Sequence, residues 1–227
     1  MSIRLNKSFK EVVYNRRSCR SFLSTPVPQE TIIEVLNDAQ QSPSNCNTQP
    51  WETHIVSGDK LKELAEAIIK AKNEGNFTPD FSFDMDAFYG RYGERNQEQG
   101  KYYYESLGVA RDDKEAREAA SDKNLSFFNA PHVALLFMPS FGDNVRVAGD
   151  IGMYGQTFLL SLVDHNLAGV PQTYLGFFAE TIRETLGITA DKKMLFGISF
   201  GYPNLEELNR INKIGRDPLN ESVIFHQ

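Results

Sequence analysis

Three arginines and a serine, Arg16, Arg17, Ser18 and Arg20, fall within five consecutive positions of the chain. A guanidinium offers a planar fork of donors that pairs bidentately with phosphate or carboxylate oxygens, so this cluster could hold a phosphate. The same run also reads as a solvated basic face. A second basic set, Lys213 and Arg216, lies near the far end of the chain. One phosphate site built from both ends would need two such sets, but their spacing does not require them to meet. The stretch from Pro43 through Ser44, Asn45, Cys46, Asn47, Thr48, Gln49 and Pro50 to Trp51 is polar without charge. Its amides can hydrogen-bond the edge of a neutral heterocycle, and its prolines stiffen the loop. An ordinary turn ahead of a buried Trp51 would look the same.

One motif misleads. Gly197, Ser199 and Gly201 match the GxSxG pattern of a nucleophile elbow, and Asp217 and His226 follow in triad order. Only 28 residues follow Ser199, however, and Tyr202-Pro203-Asn204 stands where the elbow needs a helix. A glycine-flanked core strand is the better reading. The chain has no GxGxxG, no P-loop and no HExxH. His54, His132, His165 and His226 show no metal-ligand spacing, and Cys19 and Cys46 form no CxxC. The expectation is reduced thiols, no metal, and no acid or base side chain central to the chemistry.

The elements that must position these residues follow from periodicity. Ser8 and Glu11 read as a capping box ahead of a short helix on Phe9, Val12 and Val13. A second helix begins at Pro28, buries Ile32, Val35, Leu36 and Ala39, and stops near Ser42-Pro43. A strand over 53–56 precedes a helix from about Asp59 to Ile69. Residues 74–106 crowd nine aromatics among Gly, Asp and Glu, which predicts an insertion: a lid, or a satellite core. A strand follows over 132–138, and then a run without charge from Ile151 to Val163. That run predicts a helix buried nearly all round, central to the fold or packed on a second subunit. Gly169 to Phe177 is turn-rich, a helix over about 178–186 ends at Gly187, and 194–200 is a strand. Neither repeat nor linker interrupts the chain, so 1–227 reads as one α+β or α/β domain.

Bulk properties exclude several classes. The chain has 227 residues, 41% hydrophobic and 24% charged, with a net charge of −6. That is ordinary globular composition, and an acidic chain is poorly suited to general nucleic-acid binding. No apolar run approaches the roughly 20 residues that span a bilayer, and Met1–Lys7 lacks the apolar region of a signal peptide. A cytoplasmic protein is the expectation.

Taken in order, these segments resemble the FMN-dependent nitroreductase family over nearly the whole chain. Arg16-Arg17-Ser18-Cys19-Arg20-Ser21-Phe22 is similar to the family's RRSxRxF, and Pro43 to Trp51 to its PSxxNxQPW. Asp150-Ile151-Gly152 opening an apolar helix, Phe200-Gly201-Tyr202-Pro203, and the Lys213, Arg216, Leu219 tail follow the family order. The insertion at about 74–106 looks like the nitroaromatic-reducing branch. The resemblance implies an α+β fold with a mixed central sheet flanked by helices, and an intertwined homodimer with FMN at the subunit interface. Arg16, Ser18, Lys213 and Arg216 would bind the FMN phosphate, with Arg17 nearby. Arg20 would reach the flavin pyrimidine edge, and Pro43, Ser44, Asn45 and Asn47 would come from the other subunit. Backbone amides near Leu175 and Gly176 would face the flavin, with Gln172 the neighbouring alternative. The implied activity is reduction of nitroaromatics or quinones by NADPH or NADH. Reductive dehalogenation of aromatic substrates on the same flavin site, and non-enzymatic flavin binding, are the alternatives.

Overall fold

The structure, a computed structural model, describes residues 7–210 and 214–227. Ser8 caps helix α1 (Phe9–Asn15): its Oγ accepts from the Glu11 N–H at 3.3 Å, and the Ser8 N–H donates to the Glu11 carboxylate at 2.7 Å. These bonds hold the Glu11 carboxyl below its ordinary range. Pro28 precedes α2 (Gln29–Ala39), which buries Ile32, Val35 and Ala39. Strand β1 (Glu52–Ser57) runs into α3 (Gly58–Asn73). Then come α4 (Gly90–Ser106), α5 (Lys114–Asp122), β2 (His132–Pro139) and α6 (Val145–Asp164). The chain continues through β3 (Ala168–Gln172), α7 (Ala179–Leu186), β4 (Lys192–Gly201) and α8 (Leu205–Arg210).

The strands form one sheet in the order β1-β2-β4-β3. Strand β2 is buried on both faces, which explains its continuous apolar sequence. Ala134, Leu136 and Met138 point to one side, where α2 and α6 pack. Val133, Leu135 and Phe137 point to the other, where α3 and α7 pack. The period of two thus divides one strand between two helical layers. Each fully buried side chain of this kind contributes about 1.5–3 kcal/mol.

Three features differ from the sequence-based expectation. The neighbouring strands all pair antiparallel. The parallel component of the expected mixed sheet is, among the described residues, an isolated bridge between Ser18 and Gly169. Second, the turn-rich stretch opens with a strand, β3. Pro171 is tolerated there because, among the named strands, β3 pairs only with β4 and so lies at the sheet edge. Gly169 is required for packing: a Cβ there would stand 2.8 Å from Leu162 and 3.1 Å from Ile198. Third, α5 leaves little trace in the sequence, because only Ala120 of it is buried.

Helix α6 buries Ile151, Tyr154, Phe158 and Leu162 against the sheet, but in the single chain it is not buried nearly all round as expected. Its opposite face, Gly149, Gly152, Met153 and Gln156, is exposed in the single chain. The insertion is pinned at its base. The Thr78 N–H donates to the Phe177 carbonyl at 2.8 Å. The Asp80 carboxylate, 5% exposed, accepts from Arg183 at 2.5 Å and from the Met194 N–H at 2.8 Å. Beyond that anchor lies α4, none of whose residues is buried. Among the described residues no helix is long and apolar enough to cross a membrane.

Candidate functional site

After α1 the chain becomes extended and lies along the free edge of β3, with the Cys19 N–H donating to the Gly169 carbonyl at 3.2 Å. Alternate residues of an extended segment face opposite ways, which separates the arginines. Cys19 is fully buried among Phe22, Ala168 and Val170, and burial pushes its thiol up from the ordinary value. Arg17 donates to the carbonyl of Leu208 and lies 3.5 Å from the Asn209 side chain, so it ties the segment to α8. Arg16, Ser18 and Arg20 occupy the alternate positions.

The two ends of the chain do approach. The Arg16 guanidinium is pushed below its ordinary value by burial and, secondarily, by the positive charge of Arg216. Among the described residues Arg216 donates to backbone, at 2.8 Å to the Gly215 carbonyl and 3.3 Å to that of Ile214. Among the described residues neither Arg16, Arg20 nor Arg216 has a carboxylate partner. In a chain of net charge −6, three such cations form a donor set that suits a bound anion. Lys213, the fourth expected cation, lies outside the described residues.

Arg20 opens onto a cleft of about 1620 Å³, lined also by Phe83, Tyr103, Tyr104, Tyr174 and Phe177. Its guanidinium lies 4.9 Å from the centroid of the Tyr103 ring. Burial lowers the Arg20 pKa and raises that of the Tyr103 hydroxyl, the latter opposed by the Arg20 charge. Leu175 turns away from the cleft: it is fully buried, and a Cβ on Gly197 would stand 2.7 Å from its Cδ1. Gly176 is buried against the backbone of β4, where a Cβ would approach the Leu195 carbonyl to 3.4 Å. At Leu175 and Gly176 themselves only backbone groups can serve a ligand. The Gln172 side chain is already committed, accepting from Ser199 and donating to the Asn124 carbonyl at 2.9 Å.

The Pro43–Gln49 loop sits elsewhere on the chain. Its Asn45 N–H donates to the buried Asp150 carboxylate of α6 at 3.0 Å, and Ser44 Oγ accepts from the Gln49 N–H at 2.9 Å. Cys46, Asn47 and Gln49 take positive φ, 52°, 55° and 47°. Trp51 stacks on Tyr154, ring centres 5.0 Å apart, which fixes the loop to the core. Pro43, Asn45 and Asn47 are exposed, and none of these loop residues lines the cleft that holds Arg20.

The apparent triad dissolves, as the sequence suggested: Ser199 is fully buried, and Asp217 pairs with Arg91 at 2.8 Å. No group of three or more metal-ligating side chains occurs among the described residues. Sequence reading did not single out Arg117, Ser121 or Asn124, which line the cleft from α5 and the residues after it. Their polar stripe at helical spacing was the available signal.

A sheet covered on both faces by helices, with Arg16 and Arg20 lacking carboxylate partners along one edge among the described residues and an aromatic cleft beside them, defines an α+β protein whose edge suits an anionic ligand. The chain belongs to the nitroreductase family, whose family model matches residues 13–202. It is 38% identical to the nitroreductase NfnB of Mycolicibacterium smegmatis over 224 residues, covering 99% of this chain and 95% of that one. It is 30% identical to a 4-nitrobenzoate reductase of a Nocardioides species, covering 96% of this chain and 90% of that one. The crystal structure of the FMN-dependent nitroreductase NfnB from Mycobacterium smegmatis in complex with NADPH superposes with a TM-score of 0.92 at 39% identity. That match covers 96% of this chain and 97% of the other.

Proposed function

We propose that the protein is an FMN-dependent oxidoreductase that uses NADPH to reduce nitroaromatic compounds. The observation that carries this reading is the set of acid-free arginines, Arg16, Arg20 and Arg216, beside an aromatic cleft in a nitroreductase fold. The relatives that cover nearly the whole chain, the nitroreductase NfnB and the 4-nitrobenzoate reductase, support the activity.

Arg16, Ser18, Lys213 and Arg216 would hold the FMN phosphate, since a doubly charged phosphate wants several charge-assisted donors. Arg17 would act nearby, by fixing α8 and keeping the segment on the sheet edge. Arg20 would face the flavin pyrimidine edge, where a cation stabilises the charge of the reduced ring. The backbone at Leu175 and Gly176 would supply donors to the other edge. When bound, the flavin supplies the two-electron relay between dinucleotide and acceptor, which no side chain can provide.

The reading extends to a homodimer, in which Pro43, Ser44, Asn45 and Asn47 of a second copy complete each site. Three features support it. The exposed residues of α6 from Gly149 to Gln156 carry no charge. The loop is absent from its own chain's cleft. Phe9, Ile224 and Phe225 stand 78–79% exposed. A cytoplasmic location belongs to the same proposal.

The direct test is an absorbance spectrum of the purified protein under argon. Flavin bands that NADPH bleaches and nitrobenzene restores are expected. A protein that stays colourless after incubation with FMN would overturn the assignment.

A further inference from the structure

The cleft wall formed by α5 carries a second cation without an acid. The guanidinium carbon of Arg117 lies 3.8 Å from the centroid of the Tyr104 ring. Three carboxylates near it in sequence are committed elsewhere. Asp113 accepts from the Ala116 N–H at 2.9 Å, capping α5. Glu118 and Asp122 accept from Lys72 on α3, at 2.8 and 2.9 Å. The Arg117 side chain makes no hydrogen bond or ion pair among the described residues, although the residue is half-buried. A guanidinium held by an aromatic face keeps its donor edge free for a planar anion. Ser121, one turn further along α5, and Asn124 line the same wall and add neutral polar groups beside it.

Arg117 and Arg20 are linked by a ladder of rings. Arg20 lies 4.9 Å from Tyr103, the two tyrosine rings are 5.4 Å apart, and Tyr104 carries Arg117. An aromatic ligand that stacks in this cleft therefore meets a guanidinium at each end of one wall. The carboxylates lining the cleft, Glu94, Glu98 and Glu105, all belong to α4, and Glu105 lies 3.8 Å from Lys101. Their charge disfavours an anion on the α4 side and directs it to α5.

Building on the proposed nitroreductase activity, we propose that Arg117 determines specificity by binding an oxyanion on an aromatic ligand. That oxyanion is either a carboxylate on the nitroaromatic acceptor or the 2′-phosphate of the dinucleotide donor. The test uses the FMN-loaded protein and the variants Arg117→Ala and Arg117→Lys. Two ratios of kcat/KM are read: 4-nitrobenzoate over nitrobenzene, and NADPH over NADH. Calorimetric titration with 4-nitrobenzoate and with 2′-AMP gives a second readout, independent of turnover. Loss of a charge-assisted bidentate contact lowers affinity about tenfold to a hundredfold. A fall of that size in the first ratio, with weaker 4-nitrobenzoate binding, assigns the site to the acceptor. A fall in the second, with weaker 2′-AMP binding, assigns it to the donor. Arg117→Lys should recover only part of the loss, because a point charge lacks the fork. If both ratios and both affinities in Arg117→Ala stay within twofold of the parent, the assignment is wrong. If the parent reduces no nitroarene, the activity proposed above has failed, and the titrations still decide for or against Arg117.

Discussion

His132 shows how one buried side chain ties stability to pH. The Val27 N–H donates to its Nε2 at 2.9 Å, so that nitrogen must be unprotonated and the ring neutral. The ring stacks on Phe200 at 5.2 Å, and its Nδ1 is buried without a hydrogen-bond partner among the described residues. Burial pushes the His132 pKa below the ordinary imidazole value. The unfolded chain takes up this proton near pH 6.5, while the folded chain resists until lower pH. Below about pH 6.5 the unfolded state thus binds more protons, and stability falls as pH falls. One such group contributes a slope of up to about 1.4 kcal/mol per pH unit in that window, and full stability above it. Comparing urea unfolding of the parent and of His132→Gln at pH 5.5 and 7.5 isolates this residue. The gap between the two proteins should narrow at the lower pH, and an equal gap at both would rule out the linkage.

At the scale of elements, the base of the insertion is the most informative joint. Asp80 reaches two elements at once, Arg183 on α7 and the Met194 N–H of β4, with Lys193 Nζ also 3.5 Å away. Removing one partner of a buried pair leaves the other charge uncompensated, at a cost of about 3–5 kcal/mol. Asp80→Ala should therefore lower Tm by about 6–20 °C in a chain of this length, while Asp80→Asn, which keeps an acceptor for Met194, should lose less. Thermal unfolding followed by circular dichroism reads both, and a shift under about 2 °C for the alanine variant would show that Asp80 does not hold the insertion. The outer end is held differently. Arg91 of α4 binds Asp217 at 2.8 Å and Glu221 at 3.0 Å, both exposed pairs in the C-terminal segment. Such pairs contribute little each and weaken with salt. The insertion is thus fixed at its root and lightly tied at α4, a distribution that suits a cleft cover.

For the whole molecule, the proposed site depends on assembly. The single chain leaves Gly149, Gly152, Met153 and Gln156 exposed on its central helix. A second copy seated there would bury an uncharged, closely approachable surface, as the symmetric contact of a homodimer requires. Met153→Asp introduces one charge at the middle of that face, and the copy related by symmetry brings a second. We expect the parent to sediment at twice the 25.7 kDa chain mass, and the variant as a monomer that no longer retains FMN. A parent that runs as a monomer yet holds flavin would contradict the shared site.

Much of this protein was legible before any fold was known, because it depends on local physics. The cap at Ser8, the start of α2 at Pro28 and the end of α7 at Gly187 are set by hydrogen-bonding chemistry within a few residues. The buried faces of α2 and α3 are written in their periodicity, and the ordered motifs from Arg16 to Tyr202 carry the family. Other features were decided only in three dimensions. Whether the two basic ends meet depends on an extended segment lying along β3, a contact between residues far apart in the chain. That same segment sends Arg17 to α8 and leaves Arg16 and Arg20 free, a division that equal residue types cannot announce. Helix α5 and its Arg117 were easily passed over for a related reason. The periodicity of α5 rests on alanines among charged residues, only one of them buried, and the meaning of its Arg117 comes from the tyrosine ring that another element places beside it.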